Sequence, residues 1–155
     1  MSFSTYKKCN LTKVILLTLP DGYVVHVGEL SAADNHCLDP RLLEHALATI
    51  NADKWLKQGD EIIADSGFAD AVVPHGIILR TTGVRGSSEQ LETGVANQNR
   101  AISQVRYAVE NTNMAIKEFK LLHDEVDVKS LPHLINFVKL AAALSNQWRL
   151  HHSVR

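Results

Sequence analysis

Pro20-Asp21-Gly22 stands between two aliphatic, β-branched runs, KVILLTL at residues 13–19 and YVVHV at residues 23–27. No other stretch limits the fold as tightly. Proline fixes its own φ and removes a ladder donor, and an Asp-Gly pair supplies the positive φ of a tight reversal. The flanking runs are therefore expected to pair as an antiparallel hairpin with Asp21 and Gly22 as its turn. Whatever follows has to pack on that hairpin.

SAADNHCLDP reads as a polar loop, and RLLEHALATINADKWL as a helix with Leu42, Leu43, Ala46, Leu47, Ile50 and Trp55 inward. Asp39 before Pro40 has the form of an N-cap followed by a proline at the first helical position. GDEIIADSGF is expected to hold a short buried strand ending at Asp65, and GIILRTT another. RGSSEQLETG leads into a long helical region from about residue 90 to 122, whose Ile102, Val105, Val109, Ile116 and Phe119 share one side. LPHLINFVKLAAALSNQW closes the chain as a helix with Leu134, Ile135, Val138, Leu140, Ala141 and Leu144 as core. Trp55 and Trp148 read as packing residues rather than base-stacking platforms. Strands, helix, strand and then helices imply an α/β class: a mixed sheet flanked by helices.

Composition excludes several functions. With 155 residues the chain is expected to form one domain over 1–150, with 151–155 as a tail. No apolar run reaches the roughly 18 residues of a membrane span, and MSFSTYKKCN lacks the apolar core of a signal peptide, so a soluble intracellular protein is expected. Cys9 and Cys37 are too far apart for a CxxC motif and read as free thiols. None of the eight histidines falls in an HExxH or paired-ligand spacing, and none is assigned to metal. A formal net charge of −1 excludes a strongly basic nucleic-acid-binding arm, so any contact with nucleic acid must be local.

Within QVRYAVENTNMAIKEF, Arg106, Glu110 and Lys117 are offset by four and eleven residues, which puts them on one helix face at 100° per residue. By itself that face is a solvated surface with an i,i+4 pair. Asp39, Asp65 and Glu110 come from three different elements, and carboxylates so placed can converge at one sheet edge to share hard divalent cations. Asp39 also reads simply as a helix cap, and Asp65 as the end of a strand.

KCNLTKVILLTLPDGYVVHVGEL, LDPRLLEHAL, GDEIIADSGF and NQNRAISQVRYAVENTNMAIKEFK, in that order, resemble the C-terminal two-thirds of DDE superfamily endonucleases, the Harbinger (PIF) class of transposases and their domesticated relatives. Arg106, three residues, Glu110, six residues, Lys117 is similar to the Tyr-Arg-Glu-Lys signature of related DDE transposases, with Ser103 where the tyrosine stands. The resemblance implies an RNase H-like fold and Glu110 as the third metal-binding carboxylate, with Arg106 and Lys117 facing the DNA backbone. Asp39 resembles the second catalytic aspartate, with Asp34 as competitor, and Asp65 matches a recurrent family aspartate that serves either as ligand or as organiser of the site. The family's first aspartate lies in an Asp-Gly-Thr strand upstream of the residues matching FSTYKK. The chain is therefore expected to be N-terminally truncated, a partial domain inactive as a nuclease by itself. The implied cofactor is divalent magnesium or manganese, and the implied activity is phosphodiester hydrolysis and strand transfer. A nuclear location follows from the family. DNA binding is expected to be weak and non-specific. The alternatives are a domesticated, non-catalytic module that binds a protein partner and, more distantly, another metal-dependent phosphoesterase.

Overall fold

The computed structural model describes residues 3–4, 9–10, 12–32, 39–81, 93–123 and 125–152. In chain order the elements are β1 (Phe3–Ser4), β2 (Cys9–Asn10), β3 (Thr12–Lys13), β4 (Leu16–Thr18), β5 (Val24–Val27), β6 (Ser31–Ala32), α1 (Asp39–Thr49), β7 (Glu61–Ala64), β8 (Ile78–Thr81), α2 (Thr93–Lys117), α3 (Lys120–His123) and α4 (Leu131–His152). This is a mixed α/β chain with small two-stranded sheets. It divides into two compact units, Met1–Cys37 with Ala108–Arg155, and Leu38–Tyr107. The competing aspartate, Asp34, lies outside the described residues, as do His36 and Cys37.

In the first unit the expected hairpin is present. β4 pairs antiparallel with β5, and the ladder runs on through the bond from the Gly28 N–H to the Ile15 carbonyl (2.9 Å) to the antiparallel pair β3–β6. The reversal differs by one residue from the expectation. Gly22 N–H donates to the Leu19 carbonyl at 2.8 Å, so Pro20 and Asp21 are the central turn residues and Gly22, at φ 86°, follows them. Such a three-residue loop is a turn closed by a left-handed glycine, and proline at its first central position suits it.

Register changes between Leu17, which faces His26, and Thr18, which faces Val24, leaving Val25 as the extra residue. Strict alternation would send Val24 and Val27 to opposite faces. The bulge brings both to the core, where Val24 is buried with Ile116, Val138, Ala141 and Ala142 while Val14, Leu16, Val27, Phe119 and Leu122 pack around them. Val25 is left in solvent.

The closing helix keeps only part of its expected core. Leu134, Val138 and Ala141 are buried, but Leu140 and Leu144 are exposed together with Trp148, four residues apart in a ridge along the outer side of α4. An apolar residue type alone does not say which side of a helix meets the body, and in α4 apolar residues occupy both sides.

In the second unit Leu43, Ala46 and Leu47 are the buried face of α1, with Ala52 buried just beyond it. Trp55 does not join them. It is 75 % exposed, because the helix stops at Thr49 and a tight turn from Ala52 to Lys54 breaks the register that would have carried it inward. Strands β7 and β8 are parallel, Glu61 opposite Ile78 and Ala64 opposite Thr81, and both are half-buried rather than enclosed. The long helical region ends at Lys117, is interrupted, and resumes over four residues as α3.

Candidate functional site

Asp39 is the first residue of α1 rather than its cap, one position inside the expected boundary. Its carboxylate points at the turn Ser66–Phe68: a Cβ on Gly67 would lie 3.2 Å from Asp39 Oδ2. α1 packs against that turn. Glycine at this point gives the carboxylate room to approach the backbone, where any side chain would have to push it back.

Asp65 follows β7 directly and caps the same turn, its Oδ1 accepting the Ser66 N–H at 2.8 Å. Two of the acidic residues singled out in the sequence are thus brought to one turn, one from a helix N-terminus and one from the carboxyl end of a parallel strand. Arg106, on α2, reaches the same carboxylate, with Nη2 3.5 Å from Asp65 Oδ1. The aspartate is 59 % and the arginine 27 % exposed on their side chains, so the pair contributes at most about 1 kcal/mol. Its consequence is chemical: a guanidinium already rests beside Asp65 and partly neutralises it.

Glu110 and Lys117 are exposed on α2, and Lys117 lies in its last turn, where a cation is favoured by the helix dipole. Among the described residues no three His, Cys, Asp or Glu side chains gather closely enough to hold a metal ion. The donor set at the turn is nevertheless of the right kind, because Asp39 and Asp65 are hard oxygen donors suited to magnesium or manganese.

A polar set in the first unit was not singled out from the sequence. Thr112 is completely buried. Its hydroxyl lies 2.9 Å from both the Gly22 and the Ala108 carbonyls, to one of which it donates, and it accepts from Arg149 Nη2 at 2.8 Å. Arg149 Nη1 donates to the Asp21 carbonyl at 2.9 Å. Asn146 accepts the Val24 N–H and donates to the Val24 carbonyl, both at 2.8 Å, as a neighbouring strand would. One signal for this set was available: Thr112 occupies a core position of α2, three residues after Val109 and four before Ile116. A polar residue in an apolar register is buried with a partner or not at all.

Comparison with known proteins adds one match. A family model described as DDE superfamily endonuclease matches residues 1–146. No curated protein and no solved structure matches the chain. A match over that much of the sequence shows that the chain belongs to the DDE superfamily endonucleases.

Proposed function

We infer that the chain is a transposase-type nuclease domain of the Harbinger (PIF) class, RNase H-like in plan and nuclear in location, acting on DNA phosphodiesters by hydrolysis and strand transfer. The observation that carries this reading is the approach of the Asp39 carboxylate to the turn capped by Asp65. Carboxyl ends of parallel strands are where α/β sheets place their ligand groups. In this reading Asp39 and Asp65 would hold divalent metal, with Glu110 added on the family resemblance alone. Magnesium or manganese, when bound, supplies charge stabilisation at the leaving oxygen and a nucleophile at neutral pH.

The chain's own residues do the rest. The carboxylates would supply the negative charge and hard oxygen donors that divalent metal needs. Arg106, which rests beside Asp65, would face the scissile phosphate, and Lys117 the neighbouring backbone. Both are positioning contacts that carry no sequence information.

Titration with manganese, followed by calorimetry and by electron paramagnetic resonance, tests the assignment. Wild-type protein is expected to bind the ion, and Asp39→Asn, Asp65→Asn and Glu110→Gln each to weaken binding about tenfold or more with unchanged circular dichroism. Equal affinity in Glu110→Gln removes that residue from the site. A second reading, a non-catalytic module that binds a protein partner, is favoured by the exposed ridge Leu140, Leu144 and Trp148. A folded wild-type chain with no manganese affinity favours it over the first.

A further inference from the structure

An indole with three-quarters of its surface in water is an unusual expense for a folded chain, and Trp55 is held there by an ordered backbone. The turn is tied by bonds from Lys54 N–H to the Asn51 carbonyl and from Trp55 and Leu56 N–H to the Ala52 carbonyl, all at 2.8–2.9 Å. Asn51 adopts a left-handed φ of 50°, a conformation that asparagine tolerates better than most non-glycine residues. Ala52, 3 % exposed, anchors the turn and Leu56 is half-buried, so the residues on both sides of Trp55 go inward while the indole goes out. Lys54 and Lys57 flank it, both exposed and neither in an ion pair with a described residue.

Two acidic groups lie nearby. Asp60 is turned back onto the chain, its Oδ2 accepting the Lys57 N–H at 2.8 Å. Asp53 is exposed on the same turn, so two carboxylates stand near the two lysines. The result is a rigid aromatic platform with two available cations beside it. This is the combination that binds a single nucleic-acid strand, one base stacking on the ring while the flanking phosphates meet the ammonium groups.

We propose that the turn Ala52–Lys57 is a contact site for an unpaired DNA strand, with Trp55 as the stacking residue and Lys54 and Lys57 as the phosphate contacts. This rests on the reading of DNA as substrate and adds a position to it. α1, whose 11 residues span about 16 Å, separates the turn from Asp39 at its other end, so the strand held at Trp55 flanks the scissile phosphate. Strand transfer and end processing both leave unpaired flanks for such a site to hold.

The chain has two tryptophans, which makes the test direct. In a Trp148→Phe background Trp55 is the sole indole, and titration with oligo(dT) is expected to quench its fluorescence saturably. Quenching is expected to fall when salt is raised. Replacing Trp55 by Ala in the wild-type chain is expected to weaken binding, measured by fluorescence anisotropy of a labelled oligo(dT), by at least about fivefold. Lys54→Gln with Lys57→Gln is expected to lower the salt slope by about 1.4, two contacts at about 0.7 each. Absence of saturable quenching, equal quenching by duplex of the same length, or unchanged oligo(dT) affinity in Trp55→Ala overturns the proposal. The manganese titration is an independent readout: loss of metal binding with Trp55 quenching intact refutes the metal-site assignment and leaves this contact standing.

Discussion

Gly22 carries two demands that no other residue meets. Its φ of 86° is left-handed, and an added Cβ would lie 2.7 Å from both Arg149 Nη1 and Thr112 Oγ1. Left-handed strain of about 1–2 kcal/mol and overpacking of about 1–3 kcal/mol act together, so Gly22→Ala is expected to lose about 2–5 kcal/mol in urea unfolding. His26, on β5, has a buried Nε2 with no hydrogen-bond partner. Desolvation, and then the charge of Lys139, lowers its pKa below the ordinary 6.5. The folded state thus binds its proton less readily than the unfolded chain. Stability from the neutral form is complete above about pH 6.5 and is lost as pH falls through 6.5 toward the lowered folded value. Urea midpoints measured downward from pH 7 are expected to drop in this window, and His26→Gln is expected to flatten the drop. An unchanged profile in His26→Gln would assign the loss to other groups. The turn at Gly22 was legible in the sequence because Pro-Asp-Gly has few conformations open to it. The isolation of His26 was not, since it depends on which atoms of other elements surround it.

At the scale of elements, α4 holds the hairpin by side chains as well as by its apolar face. Asn146 satisfies both backbone groups of Val24, which is the one strand residue buried in the core among the described residues. Asn146→Ala leaves a donor and an acceptor unpaired at a partly buried site, which is expected to cost about 2–4 kcal/mol. Asn146→Asp keeps the acceptor and loses the donor, and is expected to fall between the two in urea unfolding at neutral pH. Equal stability of Asn146→Ala and wild type would show that water replaces both bonds. The periodicity of α1 and α2 was readable because each has one apolar side: Leu43, Ala46 and Leu47 are buried as expected, and Ile116 is too. It failed at Trp55, Leu140 and Leu144. The first lies beyond a change of helix register, and the others lie on a helix apolar on two sides, so local pattern had nothing with which to choose.

The whole molecule carries a formal charge of −1, and its basic residues are dispersed rather than gathered into an arm. With only a few phosphate contacts within reach, DNA binding is expected to be weak at physiological salt, indifferent to sequence, and reduced only modestly by added salt. A gel shift showing tight, site-specific binding at physiological salt would refute this. No described helix is long and apolar enough to cross a membrane. From the sequence alone came the α/β class, the hairpin, the two later strands, the three principal helices and the acidic residues worth watching, because turn chemistry and hydrophobic period act over a few residues and are written in them. Tertiary structure alone decided that Asp39 would meet the turn of Asp65 across the space left by Gly67, that Arg106 would sit beside that carboxylate, and that Thr112, Asn146 and Arg149 would close on the hairpin. It also left Trp55 in water. These outcomes depend on distances between residues far apart in the chain, which are set by how the elements pack and not by any short-range pattern.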